Sequence, residues 1–150
     1  MVNNAREALY IACEMEKRAV KMYQRGGMVC PHMKDILAQY ELEERSHLAR
    51  FAQMGETLGG AASVEDQILL NAQAAQVIFA GGLMEAQREN AFNDLHSFLT
   101  YAADQEAQAI QTYRQFADLS ESAEAHEMFL AIADEETVHH EVLTRRLEEL

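Results

Sequence analysis

The sequence predicts an all-α fold: a four-helix bundle of two helical hairpins, joined by a long crossover that contains a short extra helix. Apolar residues recur at helical spacing almost throughout, and no stretch alternates at period two for long enough to make a strand. One proline and seven glycines leave long helices uninterrupted. A length of 150 residues suits a single domain over 1–150, with enough chain for a sizeable core.

The first helix is expected from Asn3 or Asn4, either of which can cap its open N–H groups, to a stop at Gly26-Gly27. The second opens at Pro31, a residue suited to a first helical position, and runs to Gly55. The third starts near Asn93 or Asp94 and ends around Ser120. The fourth starts at Ser120 or Ser122, with Glu121 and Glu124 complementing the helix dipole, and continues to the C-terminus. Each is roughly 35–42 Å long at helical rise. The stretch from Gly55 to Asn93 has 39 residues, where an antiparallel turn needs only a few. Such a segment suits a crossover along the bundle that leaves the second and third long helices parallel. Ser63 can cap a shorter helix within it, Val64 to about Ala80. The apolar Val77-Ile78-Phe79 on that segment needs a cover, either its own bundle or a second subunit in a homodimer.

Twelve Lys and Arg against twenty-five Asp and Glu give a formal net charge of -13. That balance repels polyanions, so neither nucleic acid nor an anionic membrane surface is expected as a partner. No apolar run approaches the roughly 18 residues of a membrane span. The start Met1-Val2-Asn3-Asn4-Ala5-Arg6 is no signal peptide, so a cytoplasmic protein is expected. Cys13 and Cys30 form no CxxC pair and are expected as buried reduced thiols.

The chemistry lies in a repeat. Glu16, Ala19, Val20 and Tyr23 match Glu106, Ala109, Ile110 and Tyr113 as E-x-x-A-[VI]-x-x-Y, 90 residues apart. Glu43-Glu44-Arg45-Ser46-His47 and Glu135-Glu136-Thr137-Val138-His139 both spell E-E-x-x-H, 92 residues apart. Residues at i and i+3 share a helix face, so Glu44 with His47 and Glu136 with His139 can reach one site. Glu16, Glu44, Glu106 and Glu136 fall on apolar stripes, some 12 to 16 residues into their helices, and so point inward at a common depth. Four buried carboxylates without partners would repel and take up protons. Two divalent cations would balance them, two neutral imidazoles would complete the set, and open positions would remain for water, dioxygen or peroxide. One Glu-x-x-His on a helix is a weak signal; two copies, each preceded by E-x6-Y in order, are a strong one.

One Glu from each of two helices and Glu-x-x-His from each of the others is the ligand arithmetic of ferritin-like di-iron and di-manganese proteins. The paired motifs resemble the rubrerythrin branch of that superfamily, and nearly as closely bacterioferritin. The resemblance covers the four long helices and leaves the 55–93 crossover unmatched. It implies that Glu44 and Glu136 bridge two irons, that Glu16 and His47 complete one ion's ligands, and that Glu106 and His139 complete the other's. It further implies that Tyr23 and Tyr113 orient the carboxylates from behind. Carboxylate and imidazole suit manganese as well as iron. The sequence also departs from these families. Ala109 stands where rubrerythrins usually carry a further Glu, tied to ligand exchange in their peroxidase cycle. A rubredoxin-type four-cysteine donor is absent, so an external electron donor is expected. Arg45 replaces the haem-ligating Met of bacterioferritin, so no haem is expected. The chain ends eleven residues past His139, without the fifth helix of ferritin cages, so no large storage shell is expected.

Other candidates have plainer expectations. His140 points about 100° from His139, toward the surface or an outer position. His32, His96 and His126 lie near helix starts and receive no role. Glu41 pairs with Arg45 at the surface. Glu43 and Glu135 lie beside the inward face, either solvated or bonding the groups behind the ligands. The activity expected from the resemblance is a di-iron oxidoreductase reacting with peroxide or dioxygen. The alternatives are a ferroxidase that passes iron on, and a binding module that its metals merely staple.

Overall fold

Helix ends in this chain are set by side-chain caps more than by glycine. The structure, a computed structural model, describes residues 2–59, 63–78 and 89–150. Its long helices are α1 (Ala5–Val29), α2 (Lys34–Gly59), α4 (Leu95–Leu119) and α5 (Ala123–Glu148), with α3 (Val64–Ile78) between the pairs and a 3-10 turn, Pro31–Met33, leading into α2. No strand occurs among the described residues. Asn4 caps α1 by accepting from the Glu7 amide at 2.9 Å, and Glu7 accepts in turn from the Asn3 amide. Asp94 caps α4 through the Ser97 amide at 2.8 Å, Ser122 caps α5 through Ala125, and Ser63 caps α3 through Asp66.

Two expected stops are corrected. α1 continues through Gly26-Gly27 to Val29. Gly26 is there for closeness: a Cβ on it would lie 2.3 Å from Cζ of Phe98, so its missing side chain admits the Phe98 ring against the α1 backbone. α2 likewise runs past Gly55 to Gly59. Nothing lies within 4 Å of a Cβ at Gly55, and one interior glycine costs a helix only about 1 kcal/mol, too little to end it.

Two apolar clusters fix the helix directions. One holds Met22, Tyr23, Leu37, Tyr40, Phe98, Leu99 and Leu143; the other holds Leu9, Ile11, Phe51, Tyr113, Phe116, Phe129 and Ile132. α2 and α4 each enter at the first cluster and leave at the second, whereas α1 and α5 run the opposite way. α2 and α4 are therefore parallel, as the length of the connection predicts, and that connection must return the length of the bundle. α3 lies against α1, with Leu70 and Ala74 buried and the Tyr10 hydroxyl donating to Asn71 Oδ1. Phe79, Ala80 and the side chains of Val77 and Ile78 lie outside the described residues, and with them the question of what covers that stretch.

Several smaller expectations are also decided. Cys30 is buried, Cys13 only half-buried, and both are free thiols. Arg45 and Glu41 form the expected exposed pair at 3.2 Å. His126 has a structural part that its position did not suggest: its Nδ1 lies 2.7 Å from the Ala117 carbonyl and ties the α4–α5 turn. No helix among the described residues is long and apolar enough to cross a membrane.

Candidate metal centre

Between the two apolar clusters lies one polar layer. Its members are Glu16, Glu44, His47, Glu106, Glu136 and His139, each at most 3% exposed, and they are the buried polar side chains among the described residues. Glu16 comes from α1, Glu44 and His47 from α2, Glu106 from α4, and Glu136 and His139 from α5. Antiparallel packing within each hairpin brings their mid-helix positions to one level.

Their ligand atoms fall into two groups, each with all atoms within 4.8 Å of one another: Glu16, Glu44, His47 and Glu136, and Glu44, Glu106, Glu136 and His139. Glu44 and Glu136 belong to both. His47 Nδ1 lies 3.1 Å from Glu136 Oε1 and 3.4 Å from Glu44 Oε2; His139 Nδ1 lies 3.0 Å from both Glu44 Oε1 and Glu136 Oε2. Glu16 Oε2, both oxygens of Glu44, Glu136 Oε2 and His139 Nδ1 are buried without a hydrogen-bond partner. An orphaned buried acceptor costs about 1–3 kcal/mol, more when charged. A cluster of them aimed at one place, made of carboxylate oxygens and imidazole nitrogens, fits a pair of divalent ions of the iron or manganese type.

Without metal the layer shares protons. Burial drives Glu44 well above the ordinary carboxylate range, helped by Glu16 and Glu136; burial and Glu136 push Glu106 up to about 8. Burial also acts against Glu136, but the imidazoles of His139 and His47 beside it outweigh that and hold the carboxyl low. Both imidazoles rise far above the usual histidine range despite burial, because His47 faces Glu136, Glu16 and Glu44, and His139 faces Glu106, Glu136 and Glu44.

The groups behind the ligands cross between hairpins. The Tyr23 hydroxyl donates to Glu106 Oε1, and the Tyr113 hydroxyl donates to Glu16 Oε1 at 2.5 Å. Burial, then the neighbouring carboxylate, raises both phenols far above their normal range, so they stay protonated donors. Glu43 and Glu135, which the sequence left open, bond the histidines of the opposite helix. His47 Nε2 lies 2.7 Å from Glu135 Oε2, and His139 Nε2 meets Glu43 Oε2. A carboxylate can only accept, so each Nε2 carries a proton and each Nδ1 is left to face the centre. Tyr40, one turn before Glu44 on α2, stacks its ring on His139 at 4.2 Å between centroids. The helical stripe gave its direction, but that a histidine of another helix lies beneath it depends on packing.

A cavity of about 440 Å³ between α1 and α4 reaches Glu16, Glu44, Glu106 and Glu136 but neither histidine. Ala19 and Ala109 line it, as do Arg18, Lys21 and Arg25 on α1. The carboxylate side of the centre is thus the approachable one, and the histidine side is backed by Glu43 and Glu135.

Residues 97–150, which contain Glu106, Tyr113, Glu136 and His139, match the family model of Rubrerythrin. Comparison with curated proteins and with solved structures gave no match. The all-helical bundle, the buried carboxylate–histidine layer and this match are consistent with a rubrerythrin-like member of the ferritin-like di-iron proteins.

Proposed function

Starting from the rubrerythrin-like C-terminal hairpin, we propose that the protein is a di-iron carboxylate oxidoreductase that reacts with hydrogen peroxide or dioxygen and is re-reduced by a separate electron donor. The observation that carries this reading is the pair of four-residue groups sharing Glu44 and Glu136. On this reading Glu44 and Glu136 would be shared by both ions, Glu16 and His47 would complete the ligands of one, and Glu106 and His139 those of the other. Iron bound there supplies the electrons for reducing an oxidant; manganese is the alternative for the same ligands.

The chain's own residues do the rest. Tyr23 and Tyr113 fix the carboxylates of Glu106 and Glu16 against rotation, and Glu43 and Glu135 fix both imidazole rings. In the metal-free chain burial and Glu136 draw Glu106 up to about 8, so it holds a proton at neutral pH that a bound cation would displace. Phe51, Phe129 and Leu99 in the flanking clusters keep bulk water from the layer.

The cavity also bears on the alternative reading as a ferroxidase. Its lining mixes Arg18, Lys21 and Arg25 with Glu14, Glu16, Glu44, Glu106 and Glu136, so its charge does not exclude Fe(II). Metal content after anaerobic Fe(II) loading and desalting is expected at two irons per chain. In a single turnover, peroxide should oxidise that iron faster than it oxidises free Fe(II); equal rates would refute the reading. Oxidation continuing well beyond two equivalents would transfer the assignment to iron handling. Stabilisation by metal without oxidant chemistry would leave a stapled bundle.

A further inference from the structure

The inner ligands repeat between the hairpins, but the charge behind them does not. Glu135, which accepts from His47 Nε2, is also held by Arg50, whose Nη1 lies 3.0 and 2.9 Å from its two carboxylate oxygens. Glu43, which accepts from His139 Nε2, is held instead by the uncharged amide of Gln39 at 2.8 Å. The repeat offset of 92 residues shows where the symmetry breaks: Val142 stands at the position matching Arg50, and Ala131 at that matching Gln39. Tyr40, stacked on His139, is matched by Ile132.

The physical consequence follows from how a carboxylate tunes an imidazole. A full negative charge accepting the Nε2 proton pulls it outward and makes Nδ1 a stronger donor to a metal. A guanidinium on the same carboxylate cancels that charge and weakens the pull. Resting on the dinuclear reading above, we propose that the two metal positions are unequal, with the His139 position binding a divalent ion first and Arg50 acting through Glu135 as the positioning residue that weakens the His47 position.

Zn(II) is a suitable probe because it is diamagnetic and needs no oxidant. The protein, with its histidines labelled with nitrogen-15, is titrated with Zn(II) while the Nδ1 and Nε2 resonances of His47 and His139 are followed. At one equivalent, the metal-bound Nδ1 signature is expected mainly at His139, by about tenfold over His47, at the lower end of what such outer partners contribute to metal affinity. Arg50→Gln should bring the two occupancies several-fold closer, and Arg50→Lys, which keeps the cation, should keep them apart. Equal occupancy in the unmodified protein, filling of His47 first, or a ratio indifferent to Arg50→Gln would overturn the inference while leaving the dinuclear site standing. No Nδ1 change at either ring through two equivalents would overturn the dinuclear site and this inference with it.

Discussion

The α1–α2 and α4–α5 hairpins present the same ligands to the centre, yet they differ in what holds the carboxylates behind the histidines. Inside, Glu16, Glu44 and His47 are matched by Glu106, Glu136 and His139, and even the tyrosines reach across reciprocally. Outside, Arg50 stands against Val142. The difference reflects where water can help. An ionisable group in the dry layer must find its partner in the protein, so its identity and direction are tightly constrained. Arg50 and Glu135 are about a third and a half exposed, where solvent satisfies whatever stands there.

The largest test of this comparison breaks each hairpin at its shared carboxylate. Glu44→Ala and Glu136→Ala should each lower iron from two per chain to one or none after anaerobic loading and desalting, and to a similar extent. Metal content that ignores either variant would remove that residue from the bridge.

Next come the crossed tyrosines. Tyr23→Phe and Tyr113→Phe keep the ring but strip a donor from Glu106 and Glu16. Each is expected to weaken metal binding about 10–100-fold, read by competition with a chelator. Unchanged affinity would reduce that phenol to core packing.

A smaller effect sharpens the comparison between the ends of the α1–α4 contact. α4 sets Phe98 directly against Gly26 at one end, and at the other Phe116 falls in the same apolar cluster as Ala8. Gly26→Ala should cost about 1–3 kcal/mol in denaturant unfolding of the metal-free protein, because the Phe98 ring must shift. Gly59→Ala is expected to cost far less, since its added Cβ meets the flexible Arg6 side chain.

The mildest test concerns pH. In the metal-free chain Glu106 titrates at about 8, above its ordinary value of 4.5. Its contribution to stability is therefore full below about 4.5 and fades as pH rises through 8. Glu136 is held low, so its contribution is present above the ordinary value and is lost as pH falls below it. Glu106→Gln should flatten the fall in metal-free Tm between about pH 5 and pH 9. An unchanged slope would mean that Glu106 is already ionised at the lower pH.

The sequence by itself determined which residues face inward. Helical periodicity places Glu16, Glu44, Glu106 and Glu136 on apolar stripes, and the i,i+3 spacing puts each histidine beside its Glu, so the six-residue set was legible before any packing was known. Local caps were equally legible, because Asn4, Asp94 and Ser122 bond amides three residues on. Packing decided the rest. Gly26 looked like a stop and is a close contact, because Phe98, 72 positions away, determines what its missing side chain is for. Glu43 and Glu135 lay between solvent and the centre until the opposite helix supplied a histidine to each, and Tyr40 gained its place over His139 in the same way. Spacing along one helix fixes direction through covalent geometry, but which groups meet across two helices depends on their register, and only the packed bundle supplies that.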